Sequence, residues 1–144
     1  DNIKTENQSL SAILNLKNVI AKQKGIVMKV SVFSKFSQVS DTDIFILFGN
    51  LLDNAIEACL RVKKDPAIDC SILNDDGLLF ISVSNTSLPV TIVDDTIPTS
   101  KLPKQDHGYG LMIIRHILDQ YNAEYTFTYE DGWFHFAAEL PLKK

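Results

Sequence analysis

Hydrophobic residues in this 144-residue chain change their spacing several times, from every third or fourth position to every second position and back. Apolar residues at the first spacing cover one face of a helix, and apolar residues at the second spacing cover one face of a strand. The helical spacing predicts three helices, over residues 5–24, 43–62 and 108–121. The alternating spacing predicts five strands, over residues 26–33, 67–73, 78–84, 125–129 and 133–140.

The order of these elements is helix, strand, helix, hairpin, long connection, helix, hairpin. Tight turns at residues 74–77 and 130–132 predict the two hairpins, whereas helices separate the other consecutive strands. A sheet built from both kinds of connection is mixed. The pattern therefore predicts an α/β fold: a two-layer sandwich with a mixed sheet of about five strands and three helices on one face. Asp41 or Thr42 is the predicted N-cap of the second helix.

The long connection, residues 86–106, has no sustained periodicity and contains Pro89, Pro98 and Pro103. A structureless segment of about twenty residues is longer than ordinary connections within a compact domain, and such segments are usually functional or mobile. No other stretch divides the chain, so residues 1–144 are expected to form a single domain.

Composition excludes several classes of function. The net charge is −4, and no run of Lys or Arg exceeds the pairs at residues 63–64 and 143–144, so no nucleic-acid partner is expected. Cys59 and Cys70 have the spacing of neither a disulfide framework nor a zinc site, which favours reduced thiols. No apolar run approaches the roughly 20 residues that span a bilayer, and the first residues lack a signal-peptide pattern, so the domain is expected to be soluble.

A polar stripe interrupts the second helix where core residues are expected. Asn50, Asn54 and Glu57 follow each other at positions i, i+4 and i+7, with Asp53 at the edge of the stripe. A solvated face is the simpler explanation, but such faces are normally Lys and Glu, and Asn is a poor helix former. An Asn side-chain oxygen is a suitable ligand for hydrated Mg²⁺, whose other positions are taken by water and phosphate.

A second polar segment, His107-Gly108-Tyr109-Gly110-Leu111, stands where the long connection becomes a helix. Glycines let the backbone approach a ligand closely, and the N–H groups of a helix N-terminus attract anions such as phosphate. A single Gly-x-Gly at a helix start is a weak signal by itself, and it is more often a flexible junction.

Together these segments resemble two motifs of the GHKL ATPases, the superfamily of gyrase, the heat-shock chaperone, histidine kinases and mismatch-repair proteins. Residues 50–55 resemble the N-box of histidine kinases, and residues 108–111 resemble the second glycine box. The resemblance covers nearly the whole chain in element order and implies the Bergerat-type ATPase fold. Residues 50–58 with residues 107–111 look most like the peptide-pheromone quorum-sensing kinases of the accessory gene regulator (AgrC-like) type. The citrate and dicarboxylate sensor kinases are a close second.

The resemblance implies a role for each matching residue. Asn54 would bind magnesium, and Asn50 would be the catalytic contact to phosphate or to metal-bound water. Residues 86–107 would form the lid over ATP. The implied nucleotide-binding residues are Asn50, Asn54, Glu57, Asn85, Thr86, Lys101, His107, Gly108, Tyr109, Gly110 and Leu111.

Two departures from the family pattern predict weak nucleotide binding. Asn85 replaces the aspartate that reads adenine in the first glycine box, and no glycine follows it. The amide keeps an oxygen acceptor but loses the strength of a charged one. Glu57 stands where many histidine kinases have a basic residue, so compensation is expected from Lys101, Lys104 or Arg115, among which the sequence does not choose.

The resemblance implies a domain that binds Mg-ATP and transfers its γ-phosphate to a histidine on a separate dimerisation domain. His107, His116 and His135 all fall in segments of the nucleotide-binding fold, so the phosphoacceptor and the sensor are expected on other parts of a longer protein. Its expected partners are ATP, its own phosphoacceptor domain and a response regulator. The whole protein would be a membrane-bound homodimer with this domain in the cytoplasm.

Three other functions remain open at this stage. An ATP hydrolase of the gyrase type carries a general-base Glu four residues before the magnesium-binding Asn, where this chain has Asn50, and an amide does not accept a proton from water. A degenerate module without nucleotide binding is argued against by the retained Asn and Gly residues. An anti-sigma serine kinase would share the fold but fits the helix and lid pattern less well.

Overall fold

The computed structural model describes residues 2–33, 35–92 and 106–142. For residues 106–109 it describes the backbone alone. Three helices and five strands alternate in the predicted order. The helices are α1 (Gln8–Gln23), α2 (Asp41–Cys59) and α3 (Asp106–Gln120). The strands are β1 (Val27–Phe33), β2 (Ala67–Asp75), β3 (Leu78–Thr86), β4 (Glu124–Glu130) and β5 (Trp133–Pro141).

The strands form one mixed sheet in the order β1-β2-β3-β5-β4. β1 pairs with β2 in parallel, and the other three pairs are antiparallel. This arrangement follows from the connections, because α2 lies between β1 and β2 whereas two-residue turns join the hairpins. Asp76-Gly77 and Asp131-Gly132 form these turns with positive φ at both positions, which matches the right-handed twist of the strands.

One face of the sheet carries the core. Alternate residues of the central strands are buried on that face, among them Ile68, Ile81 and Phe136, and their neighbours on the other face are exposed or half-buried. α2 packs between α1 and α3 and over β2 and β3. The predicted two-layer α/β sandwich with its mixed five-stranded sheet is therefore confirmed. Within the ranges given above, no helix has the length and hydropathy needed to cross a membrane.

The ends of α2 differ from the prediction. Its N-cap is Ser40 instead of Asp41 or Thr42, and the Ser40 side chain accepts a hydrogen bond from Asp43 N at 3.1 Å. The helix ends at Cys59, because Arg61 N and Val62 N donate to carbonyls only three residues earlier and tighten the last turn. The apolar pattern continues to Val62, so sequence spacing alone overestimated the length of the helix.

α3 begins at Asp106, two residues before the predicted start at Gly108. The two glycines of the motif are therefore inside the first turns of the helix, and the close approach that Gly110 allows involves a neighbouring helix. Of the predicted lid, residues 86–92 and 106–107 belong to the part of the chain that the structure describes, and residues 93–105 lie outside it.

Candidate functional site

The polar stripe of α2 lies on the side of the helix that points away from the sheet. Phe48, Leu52 and Cys59 bury the opposite side of α2 in the core, whereas Asn50 and Asn54 are only half-buried. Since 3.6 residues make one helical turn, residues four apart share a face, and the burial of one face leaves the other at the surface.

A groove of about 530 Å³ runs along this stripe between the three helices, and it is called the polar groove below. α2 forms its floor, α1 forms one wall and α3 forms the other. The groove is lined by Ile20, Lys24, Asn50, Asp53, Asn54, Ile56, Glu57, Leu60, Gly110 and Ile113. Three of the predicted nucleotide-binding residues on α2 and one on α3 therefore share one surface.

Gly110 allows α3 to approach the two amides of the stripe. A Cβ atom at this position would lie 3.3 Å from Asn50 Oδ1 and 3.5 Å from Asn54 Oδ1. The Asn50 amide is fixed from its other end, because its Nδ2 donates to Ile46 O at 2.7 Å. Two amide oxygens thus converge on the backbone of α3. A Cβ atom at position 110 would press on Asn50 Oδ1 and would be in ordinary van der Waals contact with Asn54 Oδ1.

A second, narrower space of about 80 Å³ extends from Asn54 into the core, and it is called the inner cavity below. Its walls are mainly aliphatic and aromatic, with four polar side chains. It is lined by Leu51, Asn54, Ala55, Ala58, Arg61, Val83, Asn85, Ser87, Val90, Leu111, Ile114, Phe127, Phe134 and Phe136. Together the two spaces fall within the roughly 300–1,000 Å³ that is typical of small-molecule sites.

Asn85 is the most deeply buried of the described polar residues that line the inner cavity, with 3% of its surface exposed. It lies near the end of β3, and its Nδ2 donates to Thr86 O at 2.9 Å. This bond engages the donor end of the amide and leaves the oxygen end as the acceptor for another group. An amide so placed would recognise the hydrogen-bond donors of a flat, apolar ligand.

Thr86, the next residue, lines neither space. Its hydroxyl accepts a hydrogen bond from Ala67 N at 3.1 Å and lies 3.4 Å from Cys59 Sγ. Successive residues of a strand point to opposite faces, so a strand that directs Asn85 into the cavity directs Thr86 away from it. The Thr86 side chain ties β3 to the start of β2 instead.

Among the described residues that line the polar groove, two are acidic and one is basic. Asp53 forms an ion pair with Lys17 of α1 at 2.7 Å, and Glu57 is a second carboxylate on the floor. Of the three basic residues that the sequence offered as compensation, Lys101 and Lys104 lie outside the described residues. The third, Arg115, lies over the rings of Tyr125 and Phe127 at 5.5 and 5.4 Å and lines neither space.

The remaining predicted residues are divided between the two spaces. Gly110 lines the polar groove and Leu111 lines the inner cavity, because neighbouring residues of α3 face different sides. His107, Gly108 and Tyr109 lie in the first turn of α3, and their side chains are not among those described.

Two histidines, His116 and His135, line neither of the two spaces. His116 is exposed on α3, with Nε2 3.3 Å from Gln120 Nε2. His135 is on the face of the sheet opposite the helices, where its Nδ1 lies 2.7 Å from Ser84 Oγ. Both cysteines are buried and free, and burial raises the pKa of Cys70 to about 12.

Sequence reasoning missed three polar residues that line the two spaces, Arg61, Ser87 and Lys24, and most of the apolar residues around them. Arg61 lines the inner cavity, and its position seven residues after Asn54 is a helical spacing that would have identified it. Ser87 and Val90 line the same cavity from the segment after β3. Lys24 reaches the polar groove from the end of α1, and no local pattern relates that position to the stripe on α2.

Comparison with known families gives one match by sequence. The family described as GHKL domain matches residues 39–141, which is more than half of the chain. The match contains α2, the hairpin of β2 and β3, α3 and the hairpin of β4 and β5. No curated protein matches the sequence.

Solved structures of histidine kinases are similar to this chain in fold. The nucleotide-free catalytic domain of histidine kinase ThkA matches with a TM-score of 0.71 and 20% identity, over 94% of this chain and 92% of that chain. The mycobacterial sensor histidine kinase MprB matches with a TM-score of 0.73 and 14% identity, over 93% of each chain. The Acinetobacter baumannii histidine kinase AdeS matches with a TM-score of 0.73 and 15% identity, over 95% of this chain and 64% of that chain. At identities this low, the structural similarity shows the fold alone.

Proposed function

The chain belongs to the GHKL domain family, and we propose that it binds Mg-ATP and donates the γ-phosphate to a histidine on a separate helical domain. One observation carries this proposal. The inner cavity, which is mainly apolar with a buried Asn85 at its wall, and the polar groove share Asn54 as a lining residue. An apolar space suits a flat base and a polar groove suits phosphates, and here one side chain borders both.

The base of the nucleotide would occupy the inner cavity. Phe127, Phe134 and Phe136 supply apolar contact area, and the oxygen of Asn85 is the acceptor for the exocyclic amine of adenine. A neutral acceptor forms a weaker hydrogen bond than a carboxylate does. Nucleotide affinity is therefore expected in the micromolar range or weaker, about −8 kcal/mol or less favourable.

The phosphates and Mg²⁺ would occupy the groove end at which Asn50, Asn54 and Gly110 meet. The donor set fits magnesium, since the two converging amide oxygens are neutral, hard ligands of the kind this ion accepts beside water and phosphate. When bound there, Mg²⁺ would neutralise phosphate charge. Asn54 would orient the ion, Asn50 would hold a phosphate oxygen or a metal-bound water, and the first turn of α3 would direct N–H groups at the phosphates.

The acceptor domain would dock beside the phosphates. Ile113 lines the polar groove, and Ile46 lies one helical turn before Asn50 on the same side of α2. These two side chains and that of Met112 are 40%, 38% and 65% exposed, respectively. An apolar helical hairpin that covered them would bring its histidine to the open end of the groove, where positioning supplies most of the catalysis in phosphoryl transfer.

Hydrolysis is disfavoured by the chemistry of Asn50. A hydrolase needs a general base near the γ-phosphate to activate water, and an amide does not take up a proton at neutral pH. Asp53, the nearest carboxylate in sequence, is engaged by Lys17 at 2.7 Å. Asn50, at the position where a hydrolase of the gyrase type carries its general base, thus supplies no base for hydrolysis.

We further propose that the chain is one part of a two-component sensor kinase. Residues 50–58 and 107–111 support the AgrC-like quorum-sensing type. In that setting the chain would be the cytoplasmic catalytic domain of a membrane-anchored homodimer that passes the phosphoryl group to a response regulator.

Restoration of the phosphoacceptor tests the proposal. The 144-residue chain alone should neither release phosphate from ATP at a steady rate nor become labelled. The protein that includes its own helical hairpin should incorporate γ-phosphate as acid-labile, alkali-stable phosphohistidine. Tethering raises the effective concentration of the histidine to about the millimolar range, which offsets weak docking.

Asn54→Ala in the hairpin-containing protein is the matched control, and it should remove the label without unfolding the domain. Steady phosphate release by the chain alone, abolished by Asn50→Ala, would replace the kinase with a hydrolase. Nucleotide binding without any labelling of the hairpin-containing protein would show that phosphotransfer is wrong.

A further inference from the structure

The polar groove contains two carboxylates, although the proposed ligand is strongly anionic. Asp53 and Glu57 both lie on its floor, on successive turns of α2. The Lys17 ammonium lies 2.7 Å from the Asp53 carboxylate, so that charge is balanced within the protein. The charge of a triphosphate needs a further cation in or beside the groove.

Lys24 is the cationic side chain among the described residues that line the groove. Lys24 comes from the end of α1, whereas the two carboxylates come from α2. It therefore reaches the groove from the α1 wall, and the carboxylates lie on the floor. Arg115 is held over two aromatic rings elsewhere, and Arg61 lines the inner cavity instead.

The backbone fixes the position of Lys24. It is the C-cap of α1, and its N–H donates to Ala21 O at 3.0 Å and to Ile20 O at 3.3 Å. Gly25 follows with φ +75°, a conformation that favours glycine and that turns the chain into β1. The Cα atom is therefore held at the groove wall, while the exposed side chain keeps the freedom to follow a ligand.

We propose that Lys24 is a phosphate-binding residue of this domain, contributed by α1 in place of a basic residue on α2. The inference rests on the proposed function, since it deepens the account of how the same site holds ATP. Its ammonium would contact the phosphate oxygens from the α1 wall. A lysine suits this task because it presents a compact charge with three donors on a flexible stem.

A structural role for the same lysine has a different signature. A cation at the C-terminus of a helix stabilises that helix by interaction with the helix dipole. Removal of such a lysine would lower stability but would affect every ligand of the site equally. A phosphate contact instead depends on how many phosphates the ligand carries.

Nucleotide titrations of the 144-residue chain, followed by NMR chemical shifts, test this proposal. Lys24→Ala should weaken Mg-ATP and Mg-ADP about two- to fivefold, the modest effect expected for an exposed charge. It should leave adenosine unchanged. Lys24→Arg should bind as the wild type does, and Lys24→Glu should bind less tightly than Lys24→Ala. Lys22→Ala is the matched control, since Lys22 is exposed in the same helical turn but does not line the groove.

The outcomes separate this inference from the proposed function. Two results would overturn the role of Lys24 without affecting the proposed function. One is nucleotide affinity that Lys24→Ala leaves unchanged, and the other is a loss of affinity that is as large for adenosine as for Mg-ATP. Absence of saturable binding by the wild type at millimolar nucleotide would overturn the proposed function and this inference with it.

Discussion

Asn54 borders both the inner cavity and the polar groove, and no other described residue does so. Its position follows from the period of α2, because it lies between the face that packs on the core and the face that carries the stripe. One amide at this boundary would contact the metal while the base is held a few ångströms deeper. The effect of its removal is therefore expected to depend on the metal.

Asn54→Ala should weaken Mg-ADP binding about tenfold or more in the presence of Mg²⁺ and much less in EDTA, because the lost contact is to the ion. Calorimetric titration under both conditions measures the two losses. Asn15→Ala, which removes an amide on α1 that lines neither space, should change neither affinity. Equal losses in Mg²⁺ and EDTA would contradict the role given to Asn54.

Much of the site could be predicted at the level of single residues. Asn50, Asn54 and Glu57 were predicted because a polar stripe is unusual on an apolar helix, and Asn85 because it follows a strand in a position that the family resemblance assigns. Lys24 was not, since it reaches the site only through the packing of α1 on α2. Contacts between distant elements leave no local spacing in a sequence.

Tyr121, just after the end of α3, connects that helix to the start of α2. Its hydroxyl donates to Asp43 Oδ2 and accepts a hydrogen bond from Ser40 N at 3.3 Å. Ser40 is also the N-cap of α2, so one tyrosine joins the cap, the first turn and the neighbouring helix. Burial, followed by the hydrogen bond to Asp43, raises the pKa of Tyr121 above its usual value of 10.0.

This contact predicts a loss of stability at alkaline pH. Because the pKa of Tyr121 is raised in the folded state, its contribution is complete below about pH 10, the pKa of an unfolded tyrosine. It is lost as the pH rises through the higher pKa of the folded protein. Tyr121→Phe should lower the free energy of unfolding by about 1 kcal/mol at neutral pH.

Urea unfolding between pH 8 and 11 measures this effect, and Tyr121→Phe should show a shallower decline above pH 10 than the wild type. Asp43→Asn keeps an oxygen acceptor without the charge, so its stability at neutral pH should fall between the other two. The same decline in the wild type and in Tyr121→Phe would assign the pH dependence to other groups.

The existence and type of the eight elements in the described part of the chain could be predicted, whereas their ends could not. The apolar periodicity of a helix continues past its end when apolar residues follow in the next turn. This happens after α2, where the backbone of residues 60–62 forms a tightened turn. The N-cap at Ser40 depends on one side-chain hydrogen bond, and several neighbouring residues had the same chemical ability.

At the scale of the whole molecule, the sequence predicted a mixed sheet but not its strand order. Hairpins and helical crossovers determine which strands are neighbours locally, and three of the four pairings involve such neighbours in sequence. The pairing of β3 with β5 joins residues 78–86 to residues 133–141 across the long connection, α3 and β4. Only the burial of the shared core face selects that pairing, and no turn signal marks it.

The β3–β5 pairing makes the molecule separable into two pieces. A cut between Ile92 and Asp106 leaves one fragment with α1, α2 and three strands, and another with α3 and the hairpin of β4 and β5. Each fragment keeps its own local pairings, while the β3–β5 ladder and the packing of α2 on α3 lie between them. The cut crosses neither of these contacts.

Separately expressed fragments should therefore reassemble when mixed, as an equimolar, non-covalent heterodimer. Size-exclusion chromatography and circular dichroism would follow the association, with neither fragment alone giving the cooperative unfolding of the mixture. Replacement of the buried Phe136 by Asp in the smaller fragment should prevent reassembly, because it places an unpaired charge in the shared core. A domain that tolerates this division would serve as a split reporter, in which nucleotide drives two chains together by mass action.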